Sequence, residues 1–267
     1  MPSLAAPVIQ FDASQLQHIN ERLATMQPAQ ILEWAHVTFD GLFQETAFGP
    51  SGNVITDILS AQNISVPVIF LDTLHHFDET LDLARRSQQR YNFVLHTYKP
   101  EGCSTRADFT AKHGAELWKH DDVVYDYSVK VEPARRAYAE LNARAVLTGR
   151  RKSQKGDRAN MQVVEIEKGT NLIKINPLAN WSFQQVWTYL RANEVPYNAL
   201  LDQGYKSVGD YHSTRAVKEG EDERAGRWAG SEKTECGLHK DYFAMRAAFV
   251  ARQKKQENST TLPALTA

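Results

Sequence analysis

The sequence predicts an α/β fold: a doubly wound, mostly parallel sheet with a mobile C-terminal tail. Three observations favour this fold. Short apolar stretches alternate with segments of helical periodicity, and polar, glycine-rich loops follow several of those stretches. The 267 residues, 42% of them hydrophobic, suit a folded protein with one or two domains. We divide the chain into an N-terminal helical segment (1–40), an α/β core (41–203) and a C-terminal segment (204–267).

The first elements are two helices, a strand and a third helix. Ser14 can cap the first helix, and Pro28 can start the second, because each precedes apolar residues at helical spacing. The stretch from Leu42 to Phe48 is predicted as a strand. After the turn at 49–53, apolar residues recur with the period of a helix that packs one face on a sheet.

Three further strands complete the predicted parallel sheet. Val66 to Asp72 is an almost unbroken apolar stretch, typical of a strand covered on both faces. A helix separates it from a third strand, Asn92 to Tyr98, and a fourth strand follows at Ala145 to Thr148. Ligands of such sheets bind beyond the carboxyl ends of the strands. The polar loops that follow these strands therefore mark the expected site.

The pattern changes after residue 160. Alternating apolar residues on either side of Gly169 predict a β-hairpin. Ser182 and Gln185 form a capping-box pattern at the start of a helix that ends before Pro196. From Gly204 to Lys240 no periodicity remains, so we expect an irregular and partly mobile segment.

Charge, cysteine content and apolar stretches exclude several functional classes. The chain has 31 Lys and Arg against 32 Asp and Glu, so its overall charge does not attract nucleic acid or anionic membranes. It has no apolar stretch of membrane-spanning length, and its first residues lack the features of a signal peptide. We predict a cytoplasmic protein in which Cys103 and Cys236 do not pair.

The glycine-rich turn after the first strand is a candidate phosphate site. Gly49, Ser51 and Gly52 lie where the N–H groups and the positive dipole end of a helix converge. The turn lacks the lysine of a Walker A motif and the spacing of a dinucleotide-binding motif. A tight structural turn capped by Ser51 explains the same residues.

Two other loops at the same edge of the sheet carry candidate binding residues. The loop 148–160 contains five basic side chains and one acidic one, and its arginines can bind phosphate or sulfate through paired hydrogen bonds. A solvated basic loop is the alternative. Asp72 and Thr73 end the second strand, where they can contact a sugar or base, or cap the next helix.

The C-terminal segment contains a candidate nucleophile. Cys236 lies among glycines and polar residues, with His239 and several arginines nearby in the sequence that could favour its thiolate. Cys236 and His239, together with Asp210 and His212, could also ligate a metal. A single C-x-x-H pair is poor evidence for such a site, and we predict no metal. Cys103 is interpreted as a structural turn residue.

Several longer motifs carry a family resemblance. They are AFGPSGN (47–53), LDTLHHFDET (71–80), TGRRKSQKGDRAN (148–160), GDYHSTR (209–215), EDERAGRW (221–228) and ECGLH (235–239). Together they resemble thioredoxin-dependent phosphoadenylyl-sulfate (PAPS) reductases, especially the fungal ones. The resemblance covers most of the chain and implies an adenine-nucleotide α-hydrolase-like fold. It also implies that 41–203 binds a nucleotide and that 49–53 is a modified P-loop.

The resemblance implies a two-step reaction. Cys236 would attack the sulfur of PAPS, release adenosine 3′,5′-bisphosphate and carry a thiosulfonate, from which reduced thioredoxin would release sulfite. This reaction belongs to assimilatory sulfate reduction, and His239 is a possible thiolate partner. PAPS and thioredoxin are thus the expected partners, and a homodimer is expected from the family. The implied substrate-binding residues are Gly49, Ser51, Gly52, Asp72, Thr73, Arg151, Lys152, Arg158, His212, Arg215, Arg224 and Arg227.

No iron–sulfur cluster or other bound cofactor is expected. Related reductases that act on adenylyl sulfate usually carry a [4Fe-4S] cluster, which needs four cysteines, whereas this chain has two. Where those relatives have a cysteine pair, this chain reads Tyr125-Asp126-Tyr127-Ser128. The alternatives are an ATP-cleaving adenylyltransferase or pyrophosphatase of the same fold, and a nucleotide-binding redox sensor without turnover.

Overall fold

The protein contains a six-stranded sheet with helices on both faces, in a computed structural model that describes residues 9–229, 233 and 235–260. The strand order is β3-β2-β1-β4-β6-β5, and every pair is parallel except the antiparallel β5–β6 hairpin. The predicted α/β class and mostly parallel sheet are confirmed. The strands are β1 (Leu42–Glu45), β2 (Val68–Leu71), β3 (Leu95–Tyr98), β4 (Ala145–Leu147), β5 (Val164–Ile166) and β6 (Ile173–Ile175).

Ten α-helices surround this sheet in the part of the chain that the structure describes. A π-helical turn, Tyr127–Val131, joins α7 to α8, and such turns are frequent near functional sites. The helices are α1 (Ala13–Leu23), α2 (Pro28–Thr38), α3 (Pro50–Ala61), α4 (Asp78–Tyr91), α5 (Arg106–His113), α6 (Leu117–His120), α7 (Asp122–Asp126), α8 (Glu132–Glu140), α9 (Phe183–Ala192) and α10 (Tyr242–Thr260). None of the described helices is both long and apolar enough to span a membrane.

Side chains alternate along the strands between two apolar layers. Leu42, Ala145 and Leu147 belong to the larger cluster, which includes residues of α1, α2, α3 and α9. Phe43 and Val146, one position away, belong to the cluster on the other face with residues of α8. This alternation follows from the two-residue period of a strand. Both faces are therefore covered, and α1 and α2 pack onto the same core as the sheet.

Several element boundaries differ from the sequence prediction for local reasons. Asp12, not Ser14, caps α1, because its side chain accepts the Gln15 N–H in a capping box. Asn92 does not begin β3 but ends α4 in a left-handed conformation, φ 52°, which asparagine tolerates well. The predicted start of α2 at Pro28 and the capping box at Ser182 are confirmed.

The C-terminal segment is irregular up to α10, as predicted. Between 204 and 240, its described residues form short 3-10 turns and two isolated bridges, His76 to Asp210 and Thr214 to Arg227. The first bridge ties this segment to the residues after β2. The sequence analysis did not predict α10 or the helices α5 to α8. The expected mobility of the segment stays a prediction.

Candidate active site

A cavity of about 220 Å³ lies beyond the carboxyl ends of β1, β2 and β4. It is enclosed by the turn after β1, the loop after β4 and the C-terminal segment. This is the edge at which ligands bind in open α/β sheets. Of the site residues predicted from the sequence, ten line the cavity: Gly49, Ser51, Gly52, Thr73, Arg151, Arg158, Arg224, Arg227, Cys236 and His239.

The glycine-rich turn places the N-terminus of α3 at the cavity. Gly49 is the N-cap and Pro50 occupies the first helical turn, where its missing N–H and fixed φ suit a helix start. A Cβ on Gly52 would lie 2.2 Å from Thr46 Oγ1, and one on Gly149 would lie 3.0 Å from the Gly52 nitrogen. The two glycines therefore permit close packing of both loops. Unpaired N–H groups at a helix N-terminus suit an anion.

Arg151 joins the turn to the C-terminal segment. Its side chain is only 2% exposed. The guanidinium donates from Nε to Ser51 Oγ at 2.8 Å, and from one terminal nitrogen to both Glu223 carboxylate oxygens at 2.9 Å. Arg151 thus pairs with one carboxylate, Glu223, and also bonds to the neutral hydroxyl of Ser51.

Three further arginines give the cavity a positive wall. Arg158 donates two hydrogen bonds to the Glu235 carboxylate, at 2.5 and 2.9 Å, and Arg224 lies 3.4 Å from the same carboxylate. Burial and the neighbouring Arg158 lower the pKa of Arg224 to about 10. Burial of the Arg227 guanidinium lowers its pKa as well, and its Nε has no hydrogen-bond partner among the described residues. This wall is suited to an anionic ligand.

Cys236 is half-buried at the cavity wall. Its sulfur, the Glu235 carboxylate and a ring nitrogen of His239 all lie within 4.8 Å of one another. Burial and the Glu235 charge raise the pKa of Cys236, against the opposing effect of Lys130. Arg158 lowers the pKa of the thiol, as expected from the sequence, but burial and Glu235 outweigh its effect.

His239 is neutral in this arrangement. Burial and the nearby Arg150 hold its pKa well below the usual range. Its Nδ1 has no hydrogen-bond partner among the described residues, so this nitrogen is free to accept a hydrogen bond, although the lowered pKa makes the imidazole a weak base. The same cluster could geometrically ligate a metal, but the guanidinium groups of Arg158 and Arg224 at Glu235 oppose a cation.

Four predicted residues lie outside this cavity. Asp72 accepts the Leu74 N–H at 2.9 Å, and the Lys152 N–H donates to the Ala179 carbonyl. His212 stacks on Trp118, with ring centroids 4.0 Å apart, and Arg215 pairs with Glu221 at the surface. His212 and Arg215 instead line a second cavity of about 400 Å³. These four are the predicted residues that the structure does not bring together with Cys236: Asp72, Lys152, His212 and Arg215.

The sequence analysis missed a buried ion-pair chain beside the cavity. Lys130 Nζ lies 2.7 Å from Asp210 Oδ2 and 3.3 Å from Asp126 Oδ1. Thr73 Oγ1 donates to the other Asp210 oxygen at 2.6 Å. Lys130 lines the cavity. In the sequence it is a single charged residue between two valines, a pattern that indicates a buried charge. Glu223 and Glu235, the partners of the arginines, had no comparable signal.

Comparisons with known proteins agree with this geometry. The family model described as "Phosphoadenosine phosphosulfate reductase domain" matches residues 41–216. A phosphoadenosine phosphosulfate reductase from Saccharomyces cerevisiae is 54% identical over 84% of this chain and 89% of its own length, and one from Emericella nidulans is 50% identical over 94% and 84%. A solved structure of PAPS reductase from Candida auris, a phosphate complex, is 49% identical, with a TM-score of 0.73 over 78% of this chain and 100% of that one. The protein belongs to the phosphoadenosine phosphosulfate reductase family.

Proposed function

We propose that this protein reduces PAPS to sulfite and adenosine 3′,5′-bisphosphate, with reduced thioredoxin as the electron donor. One observation carries the proposal: the cavity at the sheet edge brings Cys236 together with the turn at 49–52 and a wall of arginines. A nucleotide sulfonate needs both a helix N-terminus or basic groups for its phosphates and a soft nucleophile for its sulfur. The family membership supports the same substrate.

In the first step, the Cys236 sulfur attacks the sulfonate sulfur of PAPS. The raised pKa of the thiol means that it must lose its proton within the complex. His239 lies beside the sulfur and is the acceptor that we propose, because the negative charge of bound PAPS would raise the low pKa of its imidazole. The bond between sulfur and the bridging phosphate oxygen breaks. The electron pair leaves with adenosine 3′,5′-bisphosphate, and Cys236 becomes an S-sulfonate. Arg158, Arg224 and Arg227 stabilise the negative oxygens during this transfer.

In the second step, a thioredoxin thiolate attacks the Cys236 sulfur and expels sulfite. The resulting mixed disulfide is resolved by the second thioredoxin cysteine, which restores the Cys236 thiol and leaves thioredoxin oxidised by two electrons. The reaction needs no bound cofactor. Two cysteines per chain also fall short of the four that a [4Fe-4S] cluster requires.

The substrate contacts that we propose are those of the ten predicted residues that line the cavity. Within this set, Arg227 lines the cavity and its Nε has no hydrogen-bond partner among the described residues, so we propose that its guanidinium binds a sulfonate or phosphate oxygen. Four of the five basic side chains in the loop 148–160 pair with carboxylates, so the choice of PAPS over adenylyl sulfate, which lacks the 3′-phosphate, is supported by the similarity to PAPS reductases. We also propose a cytoplasmic location and a homodimer, as expected for the family.

Sulfite release tests this function. The purified protein receives reduced thioredoxin and either PAPS or adenylyl sulfate, and the assay is repeated with Cys236→Ser and with Cys103→Ser as the matched control. Cys103 is buried with Phe109 and Leu117, apart from the cavity. We expect sulfite from PAPS only, lost in Cys236→Ser and kept in Cys103→Ser.

Other outcomes separate the alternatives. Comparable turnover of adenylyl sulfate would refute the substrate choice. Sulfite release that survives in Cys236→Ser would refute the nucleophile. No sulfite together with pyrophosphate release from ATP and magnesium would establish the ATP-cleaving alternative. Disulfide exchange with thioredoxin but no sulfite would indicate a redox sensor.

A further inference from the structure

The backbone around Cys236 is held by carboxylates on both sides. The Gly237 N–H donates to Asp126 Oδ2 at 2.9 Å, across 111 positions of sequence. The Cys236 N–H donates to the carboxylate of the preceding Glu235 at 3.0 Å, and Arg158 holds that carboxylate. Two consecutive peptide groups at the nucleophile therefore have fixed, charged acceptors. Hydrogen bonds to ionised acceptors are stronger than neutral ones.

Asp126 is well fixed by its own partners. It is 3% exposed and lies at the C-terminal end of α7. Lys233 approaches Oδ2 at 2.7 Å and Lys130 approaches Oδ1 at 3.3 Å. These two ammonium groups and the Gly237 N–H outweigh the effect of burial and lower the pKa of Asp126. The carboxylate is therefore ionised, and through Lys130 and Asp210 it is connected to the end of β2.

The absence of a side chain at Gly237 permits this contact. A Cβ on Gly237 would lie 2.6 Å from Met245 Cε, 3.1 Å from Asp126 Cβ and 3.2 Å from Val131 Cγ2. The methionine end can move, but the β-carbon of Asp126 and the branched Val131 leave little room. Glycine thus lets the peptide group after Cys236 lie against the carboxylate.

We propose that Asp126 is a positioning residue for the reaction: by accepting the Gly237 N–H, it holds the Cys236 sulfur at the cavity in the orientation for attack on the sulfonate. The proposal rests on the proposed function. Asp126 does not line the cavity that holds the arginines, so it acts through the backbone and not on the substrate. Glu235 pairs with Arg158 and Arg224. Its substitution would therefore change both the position of Cys236 and the binding of an anion by these arginines.

If Asp126 positions Cys236, its substitution should slow the attack on the sulfonate without weakening the binding of PAPS. A displacement of about 1 Å at a reacting group can cost about 100-fold in rate. Asp126→Ala removes the acceptor, whereas Asp126→Asn keeps an amide oxygen that can accept the Gly237 N–H. Asp122→Ala is the matched control, because Asp122 also pairs with Lys233, at 3.3 Å, but has no contact with Gly237 among those described.

The experiment is a single-turnover assay without thioredoxin. Each full-length protein is mixed with excess PAPS, and the Cys236 S-sulfonate is followed by mass spectrometry over a range of PAPS concentrations. For Asp126→Ala we expect a saturating rate about 100-fold lower, with a half-saturating PAPS concentration within about threefold of wild type. Asp126→Asn should regain at least about a tenth of the wild-type rate, and Asp122→Ala should retain the wild-type rate. Thermal unfolding of each variant reports its folding.

The outcomes distinguish this inference from the proposed function. A saturating rate for Asp126→Ala equal to that of wild type overturns the positioning role. Equal losses in Asp126→Ala and Asp126→Asn also overturn it, because the acceptor oxygen then has no effect. A weaker apparent affinity with an unchanged saturating rate would place Asp126 in binding instead. If the wild-type protein forms no S-sulfonate, the proposed function fails and the inference falls with it.

Discussion

The two halves of the cavity are built in different ways. The turn at 49–52 has partners close in sequence: Gln44 Nε2 donates to the Gly52 carbonyl at 2.8 Å, and Thr56 donates to Gln44 at 3.0 Å. One distant residue, Arg151, also donates to Ser51 at 2.8 Å. The Cys236 side is held by distant partners, since Asp126 and Gly237 are 111 positions apart and Arg158 and Glu235 are 77 apart. The contacts of the Cys236 side therefore require the C-terminal segment to pack against the core.

The contacts of the two halves also differ in kind. The turn depends on close backbone packing, on hydrogen bonds between neutral groups and on the bond from Arg151 to Ser51. The C-terminal half depends on buried ion pairs such as Arg151–Glu223 and Arg158–Glu235. Breaking a buried pair is costly because it leaves an uncompensated charge. The nucleophile therefore lies in the half whose stability responds most to charge and pH.

The largest effect is expected from Arg158→Ala. The change leaves Glu235, which is 3% exposed, with Arg224 at 3.4 Å as its remaining guanidinium partner among the contacts described. We expect a loss of about 3 kcal/mol in the free energy of unfolding. Because Arg158 also belongs to the proposed anion wall, kcat/KM for PAPS should fall by at least about 100-fold. Urea unfolding and sulfite release measure the two effects.

Lys155→Ala is the control for the same loop. Lys155 pairs with Asp222, but its side chain is 76% exposed, and exposed pairs contribute little. We expect the free energy of unfolding to stay close to that of wild type. If both variants lose the same stability, the contrast between buried and exposed pairs in this loop is wrong.

A smaller loss of unfolding free energy is expected from an alanine substitution in the turn at 49–52. A Cβ on Gly52 would lie 2.2 Å from Thr46 Oγ1, whereas one on Gly49 would meet no atom within 4 Å. Gly52→Ala should therefore lower the unfolding free energy by about 1–3 kcal/mol through overpacking. Gly49→Ala, with φ −69°, should leave it nearly unchanged. Urea unfolding of the two variants is the measurement, and equal stability would show that Thr46 moves without cost.

The sequence predicted well those features that depend on residues close to one another in the chain. The strands, the turn after β1 and the capping box at Ser182 depend on neighbouring residues, so the α/β class and the position of the site at the sheet edge could be derived. A predicted boundary was wrong where a polar residue is compatible with two kinds of local structure. Asn92 looked like the start of a strand, but its left-handed conformation ends α4.

The contacts on the Cys236 side of the cavity, which join residues distant in sequence, could not be derived in this way. No pattern in the sequence relates Glu223 to Arg151 or Glu235 to Arg158, because their pairing depends on how the C-terminal segment docks. Cys236 was predicted as the nucleophile both from its sequence neighbours and from the resemblance, but neither predicted that Glu235 raises the pKa of Cys236. The electrostatic state of a thiol depends on all the charges around it, and these meet only in the folded protein.

The smallest expected effect is the contribution of His212 to the pH dependence of the free energy of unfolding. Burial lowers the pKa of this imidazole to about 4, whereas an unfolded histidine titrates near 6.5. Between these values the unfolded state binds more protons, so stability falls as the pH falls from about 6.5 toward 4, and the loss is complete below the folded pKa. Since His212 is only partly buried, we expect this loss to be about 1 kcal/mol, less than the full shift implies.

His212→Gln tests this, because glutamine can still hydrogen-bond to the Tyr125 hydroxyl, which lies 2.8 Å from His212 Nε2, and does not titrate. Urea unfolding at several pH values between 7 and 4.5 should show a shallower decline for this variant than for wild type. His36→Gln, at an exposed position of α2, should follow the wild-type curve. Parallel curves for His212→Gln and wild type would show that His212 does not contribute to acid sensitivity. The loss would then come from other histidines whose pKa burial lowers, His75 and His239, because the unfolded state also binds more protons than these groups do in this pH range.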